Sequence, residues 1–393
     1  MSRVLVVTND FPPRPGGIQT FVHELLRRLP PERVVVLTSR WRGWERFDAA
    51  QPFPIVRADT SVLLPTPATR SHAASLLVEH GCDAVLYGAA APLGLLAGSL
   101  TTAGARRQVA LTHGHEAGWA QLPGARQALR RIGDGVDVVT YLGEYTRRRI
   151  AAALRPAAAD RMVQLTPGVD ASVFHPDAAA RERVRQRLGL GERPLVVCVS
   201  RLMPRKGQDV LVDSWPLVLA GVPDAALLLV GGGPYRSRLE QRVSSLGLTS
   251  SVILTGTVDA DQLAAHYAAA DVFAMPARTR RRGLDVEGLG IVYLEASATG
   301  VPVVAGRSGG APDAVLEGET GYVVDGTDRQ SLAARLTRLL TSPETRSALG
   351  SAGRAWVVDT WSWERQVQVL RSALWPDEPD EPDAGSGSTG AHE

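Results

Sequence analysis

Glu287 and Glu295 lie eight positions apart around the step Gly288-Leu289-Gly290, in the stretch GLDVEGLGIVYLEASATGVPVVAGRSGG. A helical path between the two carboxylates would cover roughly 12 Å at 1.5 Å per residue, which suits opposite ends of one long ligand better than a shared proton. The bare N–H groups of Gly288, Leu289 and Gly290 stand where a helix is expected to begin, a position that welcomes phosphate. A second charged set, Arg201 and Lys206, brackets the turn in SRLMPRKGQD after the apolar run at 194–199. Two cations at a strand's carboxyl end suit a diphosphate, and a solvated basic loop is the plainer alternative. Lys206 is the single lysine among 43 basic residues, all the others being arginine. A compact ammonium on phosphate is a role that arginine does not simply replace.

The elements that must position these groups read as parallel strands alternating with helices. The apolar run 272–275 is expected to be a buried strand, the loop 276–290 a working loop, 291–299 a helix stopped by Gly300, and 301–305 the next strand. Upstream, a run at 4–8 leads through NDFPPRPGG into a helix expected over 18–29. Gly16 and Gly17 there permit close backbone approach and leave N–H groups open to phosphate, although the loop lacks G-x-G-x-x-G and also reads as an ordinary loop before a helix. Further strands are expected at 34–38, 55–57, 84–87, 109–111, 138–141, 225–230 and 252–254. This alternation predicts open parallel sheets. THGHE, residues 112–116, sits at a strand's carboxyl end, and His113 is its candidate ligand contact. H-x-H-E spacing also suggests metal, but no further ligand cluster follows.

Read together, E-x7-E with EGLG before the helix and GVPVVAG then SGGAPD after it resembles the retaining glycosyltransferases of family 4, which have the GT-B fold. With NDFPPRPGGIQTF and THGHE, the resemblance narrows to the actinobacterial phosphatidyl-myo-inositol mannosyltransferases, and within them to those that add the second mannose. It covers about residues 1–375.

The resemblance implies an α/β chain of two Rossmann-like domains facing across a crevice. The first would be an acceptor domain over 1–168, completed by a helix at about 357–375, and the second a donor domain over 169–356. It implies a retaining α-mannosyltransferase that takes mannose from GDP-mannose to phosphatidyl-myo-inositol monomannoside, at inositol O6. Arg201, Lys206, Glu287 and His113 would be catalytic. Gly17, Val258 and Gly288 to Gly290 would join them around the donor, with Glu287 on mannose hydroxyls and Glu295 on the ribose, and Gly16 and His113 would meet the acceptor. Neither metal nor cofactor is expected. A sister transferase with another nucleotide sugar or acceptor is the nearest rival, and a nucleotide-sugar epimerase the rival of a different class.

At 393 residues the chain is comfortable for two domains, and a net charge of +2 argues against a nucleic-acid partner. Cys82 and Cys198 lack zinc or C-x-x-C spacing and read as reduced packing residues, consistent with a cytoplasmic chain. No apolar run reaches membrane-spanning length, so contact with an inositol phospholipid is expected at the inner face of the plasma membrane, peripherally. Two stretches suit that contact: Trp41, Arg42, Trp44, Arg46 and Phe47 in a loop, and Arg126, Arg130 and Arg131 on one helix. Residues 376–393, rich in Pro, Asp, Glu, Gly and Ser, read as a disordered tail.

Overall fold

The computed structural model describes residues 2–378. Among these described residues, thirteen strands form two all-parallel sheets. The first holds β1 (Val4–Thr8), β2 (Val34–Ser39), β3 (Ile55–Ala58), β4 (Ala84–Tyr87), β5 (Arg107–Ala110), β6 (Val138–Tyr141) and β7 (Val163–Gln164) in the order β3-β2-β1-β4-β5-β6-β7. The second holds β8 (Leu195–Val199), β9 (Ala226–Val230), β10 (Val252–Gly256), β11 (Val272–Met275), β12 (Val303–Gly306) and β13 (Gly321–Val324) in the order β10-β9-β8-β11-β12-β13. Such strands are covered by helices on both faces, which is why β1, β2, β8 and β9 are buried along their whole length and read as unbroken apolar runs. In each sheet the strand order reverses beside its first strand, between β1 and β4 and between β8 and β11. Ligands of open α/β sheets bind beyond the strand ends at such reversals.

The chain divides into two compact units. Of the described residues, one comprises 2–111, 132–139 and 366–378, the other 112–131 and 140–365. The expected boundary at residue 168 lies within the second unit, while the two sheets part between Gln164 and Leu195.

Several elements differ from expectation for local reasons. The first helix is Gly17–Leu26, and Leu29 is buried in the turn beyond it. β12 begins after Pro302, which has no N–H for the ladder but accepts a bond from the Phe273 N–H at 3.0 Å. Trp44 and Phe47 lie on a short helix, Trp44–Asp48, and not in a loop. Phe47 turns inward, edge-on to Phe11 and His23 at 6.0 and 5.3 Å, while Trp41 is 40% exposed. The expected tail starts too early, because the Glu378 carboxylate accepts two bonds from Arg33, at 2.8 and 2.7 Å, whose guanidinium lies 3.5 Å from the centre of the Trp375 ring. Residues 379–393 of that expectation lie outside the described residues. Both cysteines are free and buried, and burial pushes the Cys198 thiol up to about 12.

A buried ion pair pins the entry of the second sheet. Arg185 is 2% exposed and bonds the carbonyls of Ala269, Gly191 and Arg193, with its remaining arm 2.8 Å from Asp271 Oδ2. The same Asp271 oxygen accepts the N–H of Leu195 at 2.7 Å, so one carboxylate ties the start of β8 to the start of β11. Breaking a buried pair by removing one partner leaves an uncompensated charge. Arg185→Leu is therefore expected to lower unfolding stability by about 3 kcal/mol, measured by urea denaturation, because Arg181 can only partly compensate Asp271. A change below about 0.5 kcal/mol, the range of ordinary surface substitutions, would refute this role.

Candidate functional site

The loops after β8 and β11 leave the second sheet at its reversal point, and the structure brings their charges together. Lys206 Nζ lies 2.7 Å from Glu287 Oε2, and both residues are nearly buried, at 9% and 6% exposure. Arg205 Nε lies 3.8 Å from the same oxygen and 3.9 Å from Asp285 Oδ1. Arg205 Nε completes no hydrogen bond although it is shielded from water, and Glu287 Oε2 has only the Lys206 ammonium as its close partner. Buried polar atoms left in this condition mark a place where a ligand's donors and acceptors would be matched.

Backbone contact holds the two loops in register. Gly207, in the left-handed region at φ 77°, packs so tightly that a Cβ there would stand 2.0 Å from the Pro276 carbonyl oxygen. No other residue type tolerates both the conformation and the approach. On the other side, a Cβ on Gly309 or Gly310 would meet the carbonyl oxygens of Glu287 and Gly288 at 2.0 and 2.1 Å. The Gly310 N–H donates to Glu287 O at 3.0 Å, and Ser308 Oγ accepts the Glu287 N–H at 3.3 Å. The loop itself closes as a small hairpin through Arg280 and Asp285. Arg278 joins it to Asp209 at 2.7 Å, and Tyr235 O–H donates to that same Asp209 oxygen at 3.0 Å.

Glu295 has a different set of partners. It lies on the helix Ile291–Ala298, and Tyr267, fully buried, donates its phenol O–H to Glu295 Oε2 at 2.5 Å. Burial raises the Glu295 carboxyl above the usual range, and the Tyr267 bond partly offsets this by favouring the ionised form. Because Glu287 answers to Lys206 and Arg205 while Glu295 answers to Tyr267, the two carboxylates share no bonded partner.

The remaining expected residues divide. Arg201 is exposed and takes no part in the Lys206–Glu287 cluster, where Arg205 is the second cation. Its carbonyl accepts from Gln208, which fixes the backbone of its loop. Leu289 is 5% exposed and its side chain belongs to the core, so only its backbone can serve a ligand. Val258 packs partly buried against the same core. Gly288 and Gly290 are partly exposed before the helix, Gly290 being its left-handed cap. His113 is the second residue of THGHE, in which Glu116 faces inward to accept the His113 N–H at 2.9 Å and sits 3.3 Å from His115 Nε2. The His113 carbonyl oxygen lies 4.0 Å from where a Cβ on Gly288 would be. In the first unit, Gly16 caps the helix Gly17–Leu26 without any side-chain cap bond, and the space around Gly17 is open. Arg205 and Tyr267 were missed in the sequence. The adjacency of Arg205 to the sole lysine was a usable signal, whereas nothing in the spacing of Tyr267 announces its bond to Glu295.

A family model described as glycosyl transferases group 1 matches residues 180–356, and one described as glycosyltransferase family 4 matches residues 15–173. The GDP-mannose-dependent alpha-(1-6)-phosphatidylinositol monomannoside mannosyltransferase of Mycolicibacterium smegmatis is 53% identical over 378 residues, covering 94% of this chain and 98% of that one. The GDP-mannose-dependent monoacylated alpha-(1-6)-phosphatidylinositol monomannoside mannosyltransferase of Corynebacterium glutamicum is 47% identical over 376 residues, covering 95% and 97%. Among solved structures, Anabaena Alr3699/HepE in complex with UDP matches 95% of this chain and 99% of its own with a TM-score of 0.78, at 20% identity, a likeness of fold.

Removing the phenol O–H without changing the packing isolates its effect on Glu295. In Tyr267→Phe the Glu295 carboxyl should titrate at higher pH than in the wild type, because the bond that favours its ionised form is gone. NMR of 13C-labelled glutamate checks this, and an unchanged or lowered midpoint would show that Tyr267 does not govern Glu295.

Proposed function

The chain belongs to the family 4 glycosyltransferases, with the GT-B fold, and on that premise we propose that it moves mannose from GDP-mannose to phosphatidylinositol monomannoside, at inositol O6, with retention of the α configuration. The observation that carries the reading is the Lys206–Glu287 pair at the reversal point of the second sheet, in a chain about half identical, nearly end to end, to enzymes named for this transfer.

In this reading Lys206 and Arg201 neutralise charge that grows on the leaving diphosphate, helped by the backbone N–H groups at Gly288 to Gly290 and by Gly17. Arg205 lies close enough to Glu287 to act on the same ligand. Glu287 accepts mannose hydroxyls and Glu295, oriented by Tyr267, accepts the ribose hydroxyls, while Val258 lies beside the base. His113 meets the acceptor or the transferred sugar, and Gly16 the acceptor. Retaining hydrolases set two carboxyl groups close enough to act as acid and nucleophile on one bond. Glu287 and Glu295, with their separate partners, do not fit that division. Attack on the face that the diphosphate leaves, with a phosphate oxygen taking the acceptor proton, fits them better.

The lipid acceptor has to be reached from a membrane surface, and no described helix is long and apolar enough to cross one. We place the enzyme peripherally at the inner face of the plasma membrane. Trp41 and Trp44 support this, each lying against a cation, Arg14 at 5.2 Å and Arg40 at 5.7 Å, beside the exposed Arg42 and Arg46. Aromatic and cationic side chains together are what peripheral binding to anionic lipid requires.

Two experiments test the reading. Turnover of GDP-mannose with phosphatidylinositol monomannoside, followed by product mass in excess EDTA, should be undiminished in the wild type and fall about 10² to 10³-fold in Lys206→Ala. Lys206→Arg should also be impaired, since a planar fork cannot copy an ammonium contact. Near-normal turnover in Lys206→Ala would sink the assignment, and loss in EDTA restored by a divalent ion would establish a metal. Replacing Trp41 and Trp44 by Ser should reduce activity on vesicle-embedded acceptor and spare a short water-soluble analogue. Equal losses on both would place the two tryptophans outside any membrane surface.

A further inference from the structure

A cavity of about 620 Å³ lies wholly within the second unit. Its walls carry Arg126, Arg148, Arg149 and Arg307 together with Glu144 and Asp313. The volume is that of a small-molecule pocket rather than of a lone ion. It adjoins the donor loop, because Gly309, which also lines it, is the residue packed against the Glu287 carbonyl.

The charges are not balanced within the wall. Glu144 is already engaged by Arg147 at 2.6 and 2.8 Å and by Arg148 at 2.7 Å. Asp313 faces the start of the helix Glu144–Ala151 and accepts the Tyr145 N–H at 3.4 Å. Arg126 gives one N–H to the Ala152 carbonyl at 2.8 Å and keeps the rest of its fork. Arg149 lies over the Tyr145 ring at 5.2 Å, and neither Arg149 nor Arg307 forms a salt bridge among the described residues. Three guanidinium groups, those of Arg126, Arg149 and Arg307, thus line the cavity without a salt bridge, Arg307 acting on the Asp325 carboxylate only from beyond salt-bridge distance. Guanidinium forks match phosphate oxygens in geometry, while Gln121 on the same wall offers a carbonyl and an amide to hydroxyls.

We propose that this cavity binds a phosphorylated polyol, with Arg126, Arg149 and Arg307 on the phosphate and Gln121 among the groups that meet ring hydroxyls. Resting on the transfer proposed above, its occupant is the phosphoinositol headgroup of the lipid acceptor, held beside the loop that grips the donor sugar. Neither Arg149 nor Arg307 belongs to the donor cluster, so their loss should weaken the acceptor alone.

The test uses the full chain, with Arg149→Gln, Arg307→Gln and the double variant. GDP affinity, measured by calorimetry, serves as the check on folding and should stay within about twofold; Arg307→Lys is the fallback if a glutamine variant fails that check. Each single replacement should raise the acceptor KM about tenfold or more, the loss expected for one charge-assisted hydrogen bond, with kcat little changed. Inositol 1-phosphate should compete with the acceptor in the wild type and lose that effect in the double variant. Inorganic phosphate should compete far more weakly, and equal potency would overturn the polyol assignment in favour of a free-phosphate site. An unchanged acceptor KM in the double variant with intact GDP binding would overturn the headgroup assignment while leaving the transferase reading in place. If the wild type transfers no mannose to the lipid, that reading fails on its own. Calorimetric binding of inositol 1-phosphate to the wild type, and its loss in the double variant, still decides whether the cavity takes a phosphorylated polyol.

Discussion

The ammonium of Lys206 against the carboxylate of Glu287 is a contact that little else in the second unit could be rearranged without disturbing. A charge pair almost removed from water persists only where geometry holds both partners, since either one alone would be expensive to bury. Here the geometry is supplied from three directions. Gly207 presses the lysine loop onto Pro276, residues 308–310 cradle the backbone at 287–288, and Arg205 and Asp209 hold the intervening loop through Asp285 and Arg278. At the opposite ends of the two strands, Asp271 fastens the start of β8 to the start of β11. The site is therefore the far end of a framework whose near end is also an ion pair.

Sheet elements and site were legible to different degrees. Strands buried on both faces announce themselves as apolar runs, and the expected runs at 84–87, 138–141 and 272–275 coincide with β4, β6 and β11. β7, two residues long, and β13, opening with glycine, have too little apolar pattern to be seen. Lys206, Glu287 and Glu295 stood out through composition and spacing. Phe47 and Leu289 show the limit of such reading, because residue type and neighbourhood do not say which way a side chain turns. Both turn into packed surroundings.

Tyr267 illustrates a further loss of signal. It is a core aromatic by every local criterion, edge-on to Phe174 and tilted against Phe273, yet its one polar atom reaches a carboxylate in the site. A buried tyrosine needs a partner for its O–H, and a carboxylate raised by its own burial needs a donor. Each resolves the other's difficulty, and that reciprocity exists only in three dimensions.

The glycines that clasp the site also decide where it can be changed. At 207, 309 and 310 a single added carbon would strike a carbonyl oxygen, so these positions belong to the chassis and leave no room for variation. On the hairpin between 278 and 286 the side chains of Arg278, Arg280 and Asp285 are held by ion pairs, and ion pairs can be exchanged for others of like reach. An effort to redirect the enzyme towards another sugar would therefore find its freedom in that hairpin, with the backbone beneath it serving unchanged as a common mount.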